Sequence, residues 1–476
     1  MRCSNRGRLR QQVRFLQRQF LQDGDLAFTN VLSEEIVSQA LTSAGIVWNE
    51  RVYTPLVTLW AFLSQVLSAD HSCRATVARV IVHRLSQGRS ACSARTSAYC
   101  QARKRLPEKL FSDVARQTGQ ALDAQANQSW LWKSRSVYIF DGSTVTMPDT
   151  PENQAAYPQI PNQRPGLGFP IARIAAVFSL SCGAIVDLAT CRYAGKGQSE
   201  SGMLRSMWDI FRPKDVLLAD VLLADGLLCA WTEIAILKAR GVDFVSRLNR
   251  SNRSADFRRG KRLGKDDHIV VWPKPPKPRT IDSETYKTLP DYLTIRECRY
   301  HVDQPGFRTK LVVVVTTLLD ADEFTKEDLA ALFRARWNAE LDLRDVKQSL
   351  QMDILRCKTP ELVRKEIWTH ILTYNLIRTI MAQAANEHDL QPRTISFKGT
   401  IQTLEAFQPL IAFRADRDST FRLQLYKQLL QCVASHRVAD RPDRFEPRKR
   451  KRRFRWFDFL NKPRSEAKLD MLKGVK

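Results

Sequence analysis

Between residues 136 and 248 the chain alternates short apolar, β-branched runs with stretches of helical spacing, and this alternation constrains the fold more than any other feature. Buried strands that alternate with helices predict an α/β sheet. Two of the apolar runs lead directly into an acid, at Asp141 and at Asp225. Carboxylates at strand ends project at the carboxyl edge of such a sheet, where open α/β folds build their sites. A single aspartate in this setting often only caps a turn, so the pattern alone assigns no function.

The regions before and after this predicted sheet differ in their hydrophobic spacing and in the secondary structure that the spacing predicts. Residues 1–130 carry apolar side chains at three- and four-residue steps, which predicts helices. Residues 251–318 combine a charged loop, a proline-rich strand and a hairpin with its turn at 304–306, which predicts a β-rich insertion. We therefore predict a helical N-terminal domain (1–130), an α/β core in two parts (131–250 and 319–390) separated by that insertion (251–318), and a helical, basic C-terminal region (391–476).

The charge of the chain points to a polyanionic partner. Lys and Arg number 75 against 50 Asp and Glu, a formal net charge of +25. An excess of this size attracts nucleic acid, although a basic surface can also serve only solubility. The 10 cysteines include no Cys-x-x-Cys pair, so zinc-finger spacing is absent from the sequence. The longest apolar run is too short to span a bilayer. We expect a cytoplasmic protein that acts at the nucleoid and has no membrane partner.

Two basic segments are candidates for DNA contact. Residues 68–110 hold many arginines on helices broken by Gly88 and Pro107, which suits a helix-turn-helix contact and equally suits a basic helical cap on the core. Residues 448–456 read RKRKRRFRW. Such a run is usually a solvated tail, but its interleaved aromatic residues could also stack on bases.

A charged pattern within residues 332–353 is more specific than either strand-end aspartate. Phe333, Arg336, Glu340 and Lys347 stand at offsets 0, 3, 7 and 14, and Arg344 lies four residues after Glu340. At 3.6 residues per turn these side chains share one face of a helix. The alternative is an amphipathic surface helix with Arg–Glu pairs. That alternative leaves the aromatic residues beside the charges without an explanation.

This pattern resembles the Tyr-x2-Arg-x3-Glu-x6-Lys signature of bacterial DDE transposases of the insertion sequence four family. The segment DGSTVTMPDTPENQAAYP, which begins at Asp141, resembles the first-aspartate segment of that family, and DVLLAD followed by GVDFVSRLN resembles its second. The three motifs stand in the family's order, and the resemblance covers about residues 50–460. The resemblance implies an RNase H-like core with a β insertion before the glutamate helix. It also implies cut-and-paste transposition of the element that encodes the protein.

The resemblance carries a set of roles onto this sequence. Asp141, Asp225 and Glu340 are the expected catalytic and metal-binding residues. Phosphodiester cleavage at neutral pH suits two Mg²⁺ ions, with Mn²⁺ possible, and such ions need only oxygen ligands. We assign Asp141 as the bridging ligand. Arg336, Arg344 and Lys347 are expected to bind DNA phosphates, because guanidinium forks and ammonium groups suit them. The partner is double-stranded DNA, both the terminal inverted repeats and the target, and synapsis of two ends implies a homodimer.

The sequence departs from the family in two places. The family's tyrosine is Phe333 here, which removes one hydroxyl from the DNA-binding set. The sequence VLLAD occurs twice in tandem, ending at Asp220 and at Asp225. Residues five apart on one strand project to opposite faces, so only one of these acids fits the end of the strand. Gly226 and a helical stretch follow Asp225 directly, which favours Asp225 as the second ligand.

Trp272, in the insertion, is a candidate to stack on a base flipped out of the DNA end, although a core aromatic explains it as well. Three other functions compete with an active transposase. The repeated VLLAD could have disabled the enzyme, leaving a decayed copy that only binds DNA ends. A metal nuclease without strand transfer has the same sequence features. A glycosidase with paired carboxylates is disfavoured by the charge of +25.

Overall fold

The computed structural model describes most of the chain, namely residues 2–22, 26–49, 51–195, 198, 200–219, 229–248, 254–278, 281–301, 311–413, 419–438 and 458–473. Helices predominate before residue 130 and after residue 320, as the apolar spacing predicts. Among the residues described, none of the helices combines the length and the apolar composition that crossing a bilayer requires.

Sixteen α-helices occur in the described part of the chain. In chain order they are α1 (Arg2–Gln19), α2 (Glu34–Ser43), α3 (Pro55–Leu67), α4 (Cys73–Ser86), α5 (Ser97–Arg105), α6 (Glu108–Ala124), α7 (Pro151–Ala156), α8 (Glu200–Arg205), α9 (Cys229–Ala239), α10 (Ser283–Thr288), α11 (Lys326–Ala335), α12 (Trp337–Arg344), α13 (Pro360–Glu387), α14 (Phe397–Phe413), α15 (Ser419–Ser435) and α16 (Arg464–Leu472).

The strands are β1 (Val137–Thr146), β2 (Ile171–Ser179), β3 (Ile185–Arg192), β4 (Val216–Ala219), β5 (Asp243–Arg247), β6 (Lys261–Gly264), β7 (Asp267–Pro273), β8 (Tyr292–His301) and β9 (Leu311–Thr316). They form one nine-stranded sheet in the order β3-β2-β1-β4-β5-β9-β8-β7-β6. The mixed α/β architecture agrees with the prediction from the alternating pattern.

The centre of the sheet is parallel. Strand β1 pairs with β4 over residues 137–140 and 216–219, and β4 pairs with β5 in the same direction. The residues of β4 are buried on both faces, which explains why the sequence there is continuously apolar rather than alternating. Helices α8 and α9 lie in the connections along the chain between these strands, as parallel pairing requires.

The predicted β insertion is not a separate sheet. Strand β9 pairs antiparallel with β5 on one side and with β8 on the other, and β7 and β6 continue outward from β8. The hairpin predicted from residues 292–316 is present as β8 and β9, and its predicted turn at 304–306 lies outside the described residues. The insertion therefore lengthens the same sheet that begins with β1.

By internal contacts the chain forms two compact units. One comprises residues 1–134, 177–187 and 341–438, and its central helix α13 is buried along most of its length, packed against α6, α3 and α15. The other comprises residues 135–176, 188–340 and 439–476 and contains most of the sheet. The five-part division proposed from the sequence stays a prediction.

Candidate active site

Asp141 lies within β1 rather than at its end, which corrects the position expected from the sequence. The strand runs on to Thr146, because the β-branched residues after Gly142 suit an extended backbone. The parallel pairing with β4 nevertheless stops at Phe140, so Asp141 is the first residue beyond it. One carboxylate oxygen of Asp141 accepts a hydrogen bond of 2.8 Å from the Gly142 N–H.

Glu340 lies at the start of a short helix rather than inside a long one. A capping box between Thr325 and Asp328 begins α11, which ends at Ala335, and α12 begins at Trp337. The break at Arg336 puts Glu340 in the first turn of α12, where the positive end of the helix favours a carboxylate. Arg336 donates a hydrogen bond from Nη2 to Glu340 Oε1 at 3.3 Å. Its guanidinium also lies 6.0 Å from the centre of the Phe333 ring.

Three of the residues expected at the site are brought together. The pKa of Asp141 is raised to about 6, chiefly by burial and also by the charges of Glu340 and Glu200, while the Gly142 N–H and Arg336 act in the opposite direction. These interactions place Asp141, Arg336 and Glu340 within electrostatic reach of one another, although almost 200 residues of sequence separate Asp141 from the other two. Asp141 is partly buried, whereas the Glu340 side chain is 42% exposed. The result is an acidic group that faces solvent on one side.

Glu200 is a neighbour of Asp141 that the sequence did not single out. A Cβ added at Gly142 would lie 3.1 Å from Glu200 Oε1, so the absence of a side chain there lets this carboxylate lie against β1. Arg173 on β2 approaches the same oxygen at 3.8 Å. In the sequence, Glu200 was visible only as an acidic residue near the start of a short stretch with helical spacing. Nothing in its spacing connects it to β1.

Two further residues, Trp337 and Arg247, belong to the motifs that resemble those of the family. Trp337, the first residue of α12, has a 43% exposed side chain three residues before Glu340. Arg247 is the last residue of β5, which pairs with β4 at the centre of the sheet. Both stand inside motifs that the sequence comparison with the family had already marked. An aromatic or an arginine within a matched motif was therefore a usable signal.

The single-face argument holds for Arg344, which lies four residues after Glu340 in α12, but it does not extend to Lys347. Helix α12 ends at Arg344, and residues 345–349 form a π-helical turn whose period differs from 3.6 residues. Arg344 is 55% exposed and lies 3.9 Å from Asp345. Lys347 is half-buried, and burial lowers its pKa. Their assignment to DNA phosphates stays a prediction.

Trp272 is a core aromatic, which corrects its proposed stacking on a flipped base. Its side chain is 5% exposed. The indole N–H donates to Glu297 Oε1 at 2.9 Å, and the backbone carbonyl accepts from the Trp231 indole at 3.2 Å. A ring held in this way presents no face to DNA.

The second aspartate is not among the described residues. Strand β4 ends at Ala219, and both Asp220 and Asp225 lie outside the described part of the chain. Within that part, no three Asp, Glu, His or Cys residues come close enough together to hold a metal ion. The oxygen donors that are present suit Mg²⁺, and the raised pKa of Asp141 shows a carboxylate whose charge a cation would neutralise.

The arginine-rich stretch 68–110 contains at least one arginine with a structural role. Arg103 is 5% exposed and lies between the rings of Phe62 and Tyr99. Its Nη2 atom is 3.4 Å from the sulfur of Cys73. A guanidinium in this setting supports the packing of α5 against its neighbours. The number of arginines in residues 68–110 is therefore larger than the number of arginine side chains that can reach DNA.

The sequence of the chain matches known transposases. The family model described as a transposase DDE domain matches residues 132–376. The transposase InsG for insertion sequence element IS4 of Escherichia coli (strain K12) is 27% identical over 372 residues, which is 77% of this chain and 79% of that protein. The transposase for insertion sequence element IS421 of Escherichia coli is 35% identical over 82 residues, 17% of this chain and 21% of the relative.

A cryo-EM structure of the piggyBac transposase synaptic complex with hairpin DNA is similar with a TM-score of 0.44 at 9% identity, covering 86% of this chain and 84% of that one. The matched family segment begins just before β1 and extends past α12, so it contains Asp141, Arg336 and Glu340. The chain therefore belongs to the DDE transposases, and within them to the bacterial family of insertion sequence element IS4.

Proposed function

We propose that this chain cuts and rejoins DNA to move, by a cut-and-paste route, the insertion sequence that encodes it. The observation that supports this most directly is the meeting of Asp141 on β1 with Arg336 and Glu340 at the α11–α12 break, within the segment that matches the transposase DDE domain. An excess of basic residues, +25 overall, favours a DNA substrate. The decayed-copy alternative rests only on the repeated VLLAD.

The family implies a divalent metal, and we propose two Mg²⁺ ions, with Mn²⁺ as a substitute. Asp141 would bridge them, Glu340 would hold one and Asp225 the other, with Asp220 as the alternative. When bound, the ions supply an activated nucleophile and neutralise the leaving oxygen. Oxygen-only ligands and a buried, partly uncompensated Asp141 support this assignment.

The neighbouring side chains hold the substrate rather than the metal. Arg336 donates to Glu340 over 3.3 Å, a long contact, and its guanidinium could bind a phosphodiester once Glu340 has another cation to bind. Arg247 at the end of β5 has the charge to hold the same strand of DNA. The exposed ring of Trp337 is suited to stack on a base beside the cut. Arg344 and Lys347 would bind phosphates further along the duplex.

The architecture we propose is an RNase H-like core, made by β1 to β5 with α12, into which the β-rich segment is inserted before the glutamate helix. The parallel order β1-β4-β5 and the acid just beyond the β1 pairing support it. The partners would be the terminal inverted repeats and target DNA, with two copies of the chain in the synaptic complex. The N-terminal helices would bind the repeats.

The experiment that tests this function is cleavage of a plasmid that carries the element's own ends, in Mg²⁺ or in EDTA. Wild type is compared with Asp220→Asn, Asp225→Asn and Glu340→Gln. We expect cleavage only with metal, no cleavage by Glu340→Gln, and loss of cleavage in one aspartate variant alone, which identifies the second ligand.

A different result would support the competing function. If the wild-type protein binds the ends in a gel-shift assay but never cuts them with Mg²⁺ or Mn²⁺, the chain is a DNA-binding decayed copy. If it cuts the ends but never joins them to a target plasmid, it is a nuclease of the same family.

A further inference from the structure

One side chain of the β-rich segment faces the helix that leads into the catalytic glutamate. Tyr300 lies on β8 opposite Val312 on β9, while Arg247 on β5 lies opposite Val314. Directly paired residues project to the same face, as do residues two apart on one strand. Tyr300 and Arg247 therefore project from one face of the sheet.

Helix α11 covers that face. It packs against β5 and β9. The segment just before it is fixed to the same face, because Arg296 on β8 donates to the carbonyl oxygen of Phe324 at 2.6 Å. Lys326, the first residue of α11, lies near Asp267, and its charge helps to lower the pKa of that carboxyl. From there the helix runs toward Tyr300, and it ends next to Arg336.

Three arginines lie within electrostatic reach of the phenol of Tyr300. Burial raises the pKa of Tyr300 to about 12, and the charges of Arg334, Arg247 and Arg336 act against that shift. The phenol therefore stays protonated at neutral pH and can donate a hydrogen bond. It is only partly buried, and Arg334 is exposed. A neutral donor among guanidinium groups is an arrangement that suits a phosphodiester oxygen, which accepts from both.

We propose that Tyr300 donates its phenolic hydrogen to a phosphodiester of the DNA strand whose charge Arg334 and Arg336 neutralise. This inference rests on the proposed function, since the phosphodiester belongs to the DNA that the enzyme cuts. It gives the inserted strands a part in the binding of that DNA, beside the α11–α12 break. Phe333, on α11, lies against Arg336 and has no hydroxyl to offer there.

The test measures affinity rather than turnover. A fluorescein-labelled duplex that carries the element's terminal repeat is titrated with protein in Ca²⁺, and binding is followed by fluorescence anisotropy at several salt concentrations. Tyr300→Phe should raise the Kd roughly 10- to 100-fold, the usual effect of losing one hydrogen bond to a charged acceptor. Because no charge is lost, the dependence of log Kd on log salt should keep its slope. Arg334→Gln should weaken binding and reduce that slope by about 1.

Tyr292→Phe is the matched control, since Tyr292 lies on the same strand and is 62% exposed. It should bind the duplex as wild type does. The inference is overturned if Tyr300→Phe also binds like wild type, if Tyr292→Phe loses as much affinity, or if Arg334→Gln leaves the salt slope unchanged. Arg334→Gln changes an exposed residue and keeps the test informative if Tyr300→Phe folds poorly. Failure of wild type itself to bind and cut the duplex would instead contradict the proposed function.

Discussion

Two arginine–carboxylate pairs in the same compact unit have opposite settings. Arg296 and Asp267, between β8 and β7, are 1% and 7% exposed, with nitrogen–oxygen distances of 2.9 and 2.6 Å. Arg336 and Glu340, at the α11–α12 break, are 15% and 42% exposed and share one contact of 3.3 Å. The residue types are nearly the same, but the first pair is closed and bidentate and the second is open.

The surroundings of each pair explain what each can do. Arg296 also donates to the Phe324 carbonyl, and the Cys298 thiol donates to Asp267 at 3.2 Å, so every charge in that pair has fixed partners. Removal of one partner would leave the other buried without compensation. Glu340 faces solvent, and its ion pair with Arg336 contributes little to the free energy of unfolding. A pair of this kind can exchange its cation, which a metal-binding and phosphate-binding pair must do.

The largest expected effect separates the pairs by activity. Glu340→Gln should reduce DNA cleavage about 10⁴-fold, about 5.5 kcal/mol at the transition state, because one metal would lose its protein ligand. The midpoint temperature of thermal unfolding should stay within about a degree or two of the wild-type value, since an exposed ion pair adds little stability. Cleavage assays on plasmid DNA and a melting curve check this. A variant that cuts normally would remove Glu340 from the site.

The next effect tests the closed pair by stability. Asp267→Asn should lower the free energy of unfolding by about 3–5 kcal/mol, because Arg296 would keep a buried charge without its counter-ion. Urea denaturation measures the change, with Asp256→Asn in an exposed pair as the control. Cleavage per folded molecule should stay near wild type. If Asp267→Asn has the same free energy of unfolding as wild type, the buried charge of Arg296 does not need Asp267 for stability.

Asp141 gives a pH dependence with a defined sign. Its pKa is raised to about 6 in the folded, metal-free chain, above its ordinary value of 3.8. The folded state therefore binds the proton more tightly, and stability should fall as pH rises from 4 through 6, by up to about 3 kcal/mol. Asp141→Asn should flatten this part of a stability–pH curve measured without metal. Cleavage by wild type should increase through the same range, as Asp141 becomes free to bind a cation.

The smallest effect sharpens the assignment of Arg336. Arg336→Gln should weaken binding of the terminal-repeat duplex about tenfold and lower the salt slope by about 0.9, as the loss of one phosphate contact predicts. Arg258→Gln, in an exposed pair with Asp256, is the matched control and should bind normally. An unchanged salt slope for Arg336→Gln would leave Arg336 as a partner of Glu340 alone.

The sequence was sufficient to select Asp141, Arg336 and Glu340 together, because the motifs that contain them resemble those of one transposase family. Local pattern alone does not connect Asp141 with the other two, and the roles of the three as ligands stay predictions. Glu200 and Tyr300 could not be predicted in this way, because each reaches the site through strand register and packing. Trp272 was misassigned because a large aromatic next to prolines looks the same whether it is buried or exposed. The π-helical turn after Arg344 was missed because periodicity arguments assume an unbroken α-helix.

The place of β9 between β5 and β8 has a mechanical consequence. Backbone hydrogen bonds run without interruption from β4 through β5 and β9 into β8. If DNA is held at Tyr300 as proposed, a displacement of the bound strand passes to β4 and β5 through these continuous backbone hydrogen bonds rather than through an unpaired linker.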